Sequence, residues 1–167
     1  FIFLKGSNHI NTSDKSHVDG EVRKEGNESF SYPIGKEGFY RMASISAPAS
    51  ESDLYTGEYM LDDNNPIYDA ASKTKIIDKI DNKEYWIINK KSESNSNVVV
   101  TLTWDERTTP DFLLGDNAER LQVVRWDDQK QVWYNEGGFV DLASKSVTTI
   151  SGVNGYGIFT LATVKVD

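Results

Sequence analysis

The stretch Asn97–Asp105, NVVVTLTWD, decides the fold class. Val98, Val100, Leu102 and Trp104 fall on one side of an extended strand, and Val99, Thr101 and Thr103 on the other. The second set is wholly β-branched, which suits a pleated surface and handicaps a helix. The first set is large and apolar, so one face is expected to be buried in a two-layer β core. Upstream, Glu84–Asn89 (EYWIIN) reads as a second strong strand, joined to the first by the polar turn Lys90–Ser96. Downstream, Leu121–Asp127 and Gln131–Tyr134 read as a hairpin around Asp127–Lys130.

Further out the same grammar continues. Phe1–Lys5 is a weak first strand, Ser16–Lys24 holds short strands on either side of Asp19-Gly20, and Ser29–Ile34 and Tyr40–Ala47 flank a hairpin loop at Gly35–Gly38. Leu54–Met60, Ser146–Ile150 and Gly157–Val164 complete the set. Gly137-Gly138 reads as a turn, Thr108–Arg120 as a long loop, and Ser72–Asp81 as the one place for a short helical turn. Roughly ten short strands with turn residues between them predict an all-β, two-layer antiparallel β-sandwich. At 167 residues the chain is long enough for one domain, 1–167, with a full core. It begins FIFLK without methionine, and is expected to be a segment excised from a longer polypeptide.

The formal charge is −8 and the isoelectric point near 4.8, which disfavours phosphate backbones and anionic membranes as partners. No apolar run approaches the roughly 18 residues of a membrane span, so no membrane insertion is expected. Cysteine is absent, which removes disulfides, thiolate metal sites and cysteine nucleophiles.

Several phrases occur in a recognisable order: HVDGEVRKEGNESFSYPIGKEGFYRMASIS at His17–Ser46, EYWIINKK at Glu84–Lys91, VTLTWD at Val100–Asp105, LQVVRWDDQKQVW at Leu121–Trp133 and YGIFTLA at Tyr156–Ala162. Together these resemble a β-sandwich module of very large secreted and cell-surface proteins of Bacteroidetes, which commonly precedes a type IX secretion sorting domain. The resemblance implies export and attachment to the outer surface within an adhesin-like or enzyme-bearing chain. It carries no catalytic signature, and the Leu61–Lys83 segment is less typical of it.

Three chemistries compete for the polar and aromatic residues. Asp105, Glu106, Asp111, Asp116 and Asn117 gather hard oxygen donors around one loop, as calcium requires, although the spacing matches no EF-hand and a solvated acidic loop explains it equally. The run Asp62-Asp63-Asn64-Asn65 with Asp69, joined by Asp53 if the fold allows, is a second such grouping. Trp104 shares parity with Val98, Val100 and Leu102, and Trp86 follows Tyr85 inside an apolar strand, so both are expected inside. Trp126 and Trp133 flank the hairpin, where one of them with Tyr134 could stack on a sugar, or the pair could simply pack across the strands.

Catalysis has little to work with. A Ser-His-Asp arrangement would have to use His9 or His17, both N-terminal and neither at zinc-ligand spacing. With 26 acidic residues, paired carboxylates carry no information. Gly152, Gly155 and Gly157 have the wrong spacing for a phosphate loop and precede a strand. Arg41 and Arg125 fall within expected strands, and one of them is expected to form a partly buried ion pair. The leading expectation is a non-catalytic accessory, structural or adhesion module, monomeric in isolation, whose partners are the neighbouring domains of its parent chain. A carbohydrate-binding module that takes up polysaccharide, with or without calcium, is the alternative, and a hydrolase or lyase the third.

Overall fold

The computed structural model describes residues 1–62 and 68–166. Its strands are β1 (Ile2–Phe3), β2 (Val22–Glu25), β3 (Phe30–Tyr32), β4 (Gly35–Lys36), β5 (Phe39–Tyr40), β6 (Ala43–Ile45), β7 (Leu54–Leu61) and β8 (Ile77–Ile80). They continue with β9 (Glu84–Lys90), β10 (Val100–Thr103), β11 (Leu121–Asp127), β12 (Val132–Gly137), β13 (Phe139–Asp141), β14 (Ser146–Thr148) and β15 (Gly157–Val164). One sheet runs β1-β2-β7-β9-β15-β11-β12, with β8 beside the C-terminal half of β15; the other runs β13-β14-β10-β6-β3. The expected all-β sandwich is therefore what the chain builds, antiparallel except where β1 lies parallel to β2.

The alternation of NVVVTLTWD carries straight into the smaller sheet. Tyr32, Ala43, Leu102 and Val147 form one cross-strand row and Phe30, Ile45 and Val100 the next, all buried against the larger sheet. Ser31, Ser44, Thr101 and Thr148 form the row pointing the other way, and their hydroxyls hydrogen-bond in pairs, Ser31 with Ser44 at 3.3 Å and Thr101 with Thr148 at 2.9 Å. The larger sheet answers with Val22, Tyr55, Tyr59, Trp86, Ile88, Leu121, Val123, Phe159 and Leu161. Gly57 leaves room for the Tyr32 ring, which would stand 2.7 Å from any Cβ at that position.

One expected turn and the N-terminal arm close the sandwich at its sides. At Gly137-Gly138 the chain passes from the larger sheet (β12) into the smaller (β13); Gly137 has φ +86°, and a Cβ on Gly138 would lie 2.5 Å from the Leu121 carbonyl oxygen. On the other side the N-terminal arm spans the gap between the sheets. Phe3 packs on Phe30, and Lys24 Nζ donates to the carbonyls of Leu4 and Ser7, each at 3.0 Å.

Two local expectations are corrected. Ser72–Asp81 forms no helical turn: Ile77–Ile80 is extended, because Ile80 and Ile77 pair with Ala162 and Val164 of β15. Thr108–Arg120 is not an irregular loop either, but holds two 3-10 helices, Asp111–Leu113 and Gly115–Arg120, anchored by buried Leu113 and Ala118. On the outer face of the larger sheet Ile77, Ile80, Val124, Trp126, Trp133 and Ala162 form a second buried cluster. Tyr68 and Ala70 pack over it, Lys73 bridges Trp133 at the β12 edge, and β8 pairs within the sheet itself.

Candidate functional site

That outer cluster settles the position of the hairpin aromatics. Trp126 and Trp133 stand directly opposite one another in the β11–β12 register, with ring centroids 5.5 Å apart and the planes nearly perpendicular. Tyr68 packs edge-on against both, and Trp133 Nε1 donates to the Tyr68 carbonyl at 3.2 Å. Trp126 is 6% and Trp133 0% exposed, so the expectation of a tryptophan open to a sugar is corrected: both are buried, although Trp126 borders a surface depression. Tyr134 is exposed, and Trp86 and Trp104 lie in the inter-sheet core as expected.

The loop expected to gather calcium ligands disperses them. Asp105 turns to Arg107, whose Nη2 donates at 2.7 Å and whose Nε donates at 3.0 Å. Arg107 also reaches Asp14 at 2.6 Å. Glu106 pairs with Lys145 at 2.8 Å. Asp111 and Asp116 are exposed in separate 3-10 helices, and the Asn117 side chain is held by Arg120 and the Phe112 carbonyl. Among the described residues, no group of three or more acidic or histidine side chains is arranged to hold a metal ion. Of the second grouping, Asp63, Asn64 and Asn65 lie outside the described residues. Asp53 is occupied elsewhere, accepting from Ser92 Oγ at 2.7 Å, Ser96 Oγ at 2.5 Å, Ser50 N at 3.1 Å and Ser94 Oγ. Burial opposes ionisation of Asp53, but these donors prevail and hold its pKa at about 2.

The densest cluster of ionisable groups lies between the sheets. Arg41, in the link between β5 and β6, is 2% exposed and Glu84, which opens β9, is 0% exposed; Arg41 Nη2 donates to Glu84 Oε1 at 3.0 Å. The remaining guanidinium donors reach Thr108 Oγ1 at 2.8 Å, Thr103 Oγ1 at 2.9 Å and the Thr103 carbonyl at 2.9 Å. Glu84 in turn accepts from Tyr59 at 2.7 Å, Thr108 at 3.0 Å and Thr109 at 2.6 Å. The guanidinium also sits over the rings of Tyr59 and Trp86, 5.4 and 5.3 Å from their centroids.

Electrostatics follow from this enclosure. Burial disfavours the charged form of every member, yet the Arg41–Glu84 attraction wins: the Arg41 pKa is raised, and that of Glu84 lowered. Asp81 makes the opposite adjustment. Burial and the neighbouring Glu84 charge push its carboxyl well above the usual range, and a hydrogen bond to Glu84 favours its protonated form. Its Oδ1 accepts from the backbone N–H of Lys83 and Glu84 at 2.9 and 3.2 Å. Arg41 was legible in the sequence only as one of two candidates, with Arg125, for a partly buried ion pair. Glu84, Asp81 and the Thr108-Thr109 hydroxyls were not, because nothing local distinguishes them from surface residues.

A pair of carboxyls sharing a proton beside an arginine resembles catalytic equipment. Here the group is enclosed: Arg41, Asp81, Glu84, Thr108 and Thr109 are each 3% exposed or less, and none of them lines the three main surface depressions. Because Tyr59 and Glu84 belong to the larger sheet and Thr103 to the smaller, the cluster acts as a polar clamp between layers. The histidines are structural too: His9 Nε2 donates to the Ser31 carbonyl on the edge of β3 at 2.5 Å, and His17 contacts the Ser13 carbonyl. No protein-family model, curated protein or solved structure matches this chain.

Proposed function

We propose that this domain is a non-catalytic structural or adhesion module of an exported cell-surface protein, serving neighbouring domains of its parent chain. The observation that carries the reading is the enclosed Arg41–Glu84–Asp81 cluster: the chain's most chemically capable groups hold two sheets together and meet no substrate-sized space. The ordered phrases from His17 to Ala162, with their resemblance to surface modules of Bacteroidetes, support export. The apolar N-terminal arm supports domain contact, since Phe1, Ile2, Leu4 and Ile10 are all more than half exposed, in a pattern suited to a covering partner.

The experiment is to purify residues 1–167, measure oligomeric state, and assay against polysaccharides, glycosides and peptides. The reading expects a soluble monomer without turnover. Sustained hydrolysis or elimination of any of these substrates would sink it.

A further inference from the structure

The structure assigns a ligand site to the open depression beside Arg125, and we propose that it takes a neutral, hydroxyl-rich ligand the size of a single sugar unit. The site goes beyond the structural reading above and does not depend on it.

Arg125 shares strand parity with Leu121 and Val123 and pairs with Phe159, so it occupies an inner-face position at the end of the sandwich. A β-bulge lies opposite: Val123 faces Gly137 while Val124 faces Asn135, which makes Glu136 the extra residue. Bulges re-aim side chains, and this one brings Glu136 toward Arg125. The approach is incomplete. Glu136 Oε1 stands 3.6 Å from Arg125 Nη2, too long for a hydrogen bond, and Arg125 Nε is buried without a partner. Both side chains are nearly covered, at 13% and 10% exposure. A guanidinium so desolvated, with five donors and one long ionic contact, is costly to hold empty.

The surroundings are shaped to keep it so. Gly155 passes so close that a Cβ would lie 2.6 Å from Arg125 Nη1, so a side chain there would push the guanidinium aside. The depression in front has a volume of about 340 Å³, at the small end of ligand sites. Asp127, Asp128 and Gln129 from the hairpin turn form one wall, Asn154 and Tyr156 the other. Tyr134 is directly opposite Arg125 in register and 47% exposed, which places an aromatic side chain on the same face.

This lining chooses the ligand. Arg125 offers donors, the two aspartates offer acceptors, and Asn154 and Gln129 offer both, which is the complement of adjacent hydroxyls. An anion would be repelled by Asp127, Asp128 and Glu136 around a single arginine. A bare cation would meet the guanidinium.

The test measures saturation-transfer NMR and thermal shift of the whole chain with methyl glycosides of glucose, galactose, mannose and N-acetylglucosamine, and with sodium acetate and sodium sulfate in parallel. Saturable binding of at least one glycoside is expected, weakened about tenfold or more by Arg125→Lys and by Asn154→Ala. Asn154 is exposed, so its variant should melt as the parent does and isolates binding from folding. No response to any glycoside, a response to acetate or sulfate alone, or glycoside binding unchanged in both variants would each overturn the site. Failure leaves the structural reading intact; glycoside cleavage by the parent would instead sink that reading and keep the site.

Discussion

Arg41 and Glu84 are the residues on which the inter-sheet contact turns, because each satisfies the other's charge in a place that water does not reach. Truncating one partner leaves the other buried and uncompensated, which costs about 3–5 kcal/mol. Arg41→Met and Glu84→Leu should each destabilise by that amount in denaturant melts, whereas the double variant should recover part of the loss. Strictly additive losses would show that the pair does not act as a unit.

Asp81 makes a pH prediction of unusual sign. Its folded pKa is raised above the ordinary 3.8, so its contribution is complete below that value and drains away as pH rises through the folded one. Asp81→Asn can keep the backbone and Glu84 hydrogen bonds without needing a proton. The variant should therefore lose less stability than the parent as pH rises above the ordinary carboxylate range. Parallel curves would mean that Asp81 does not hold the extra proton. Asp53 works in the other direction: depressed from 3.8 to about 2, its contribution is present above the upper value and lost as pH falls through the lower. Asp53→Asn should cost about 1–3 kcal/mol at neutral pH and flatten the acid limb of the stability curve.

At the scale of elements, the β11–β12 hairpin is the clearest case of a correct local reading with a wrong surface. Trp126→Ala and Trp133→Ala should each cost about 3–5 kcal/mol, since both rings are packed under Tyr68. Quenching by acrylamide should show those tryptophans protected in the parent; open access to quencher would contradict the covered face. The sequence discloses that both tryptophans flank one turn, but not that a segment some sixty residues upstream lies over them, because that contact has no local signature. The same limit explains Ser72–Asp81. Ile77 and Ile80 are three apart, as one helical turn would place them, yet pairing with β15 draws the backbone out straight. By contrast, Val98, Val100 and Leu102 were legible because period-two alternation is written into the strand itself. Thr103 breaks that alternation and is buried, for a reason found only in three dimensions: its hydroxyl and carbonyl both serve Arg41. The acidic loop was legible as a cluster in sequence and not as a site, since Asp105 and Glu106 turn to separate basic partners and Asp111 and Asp116 stand exposed in different 3-10 helices.

At the scale of the whole molecule, the two terminal strands are secured very differently. β15 lies inside the larger sheet, bonded to β9 and β8 along one side and to β11 along the other. β1 has two residues and one neighbour, and the arm is otherwise held by the Lys24 side chain, by His9 on the Ser31 carbonyl, by Gly6 on Glu28 and by Phe3 against Phe30. In the proposed role the domain is a link under tension, and a link yields at its weaker grip. Pulled from both ends, this domain should release its N-terminal arm first, at low force, and then resist until β15 shears from its neighbours. Single-molecule stretching should record an early extension step of about 3.3–3.6 Å per freed residue before the main rupture. A single rupture with no earlier step would show that arm and sandwich part together. The arm would then act as a short mechanical buffer, giving slack to an intermittent load while the core stays folded.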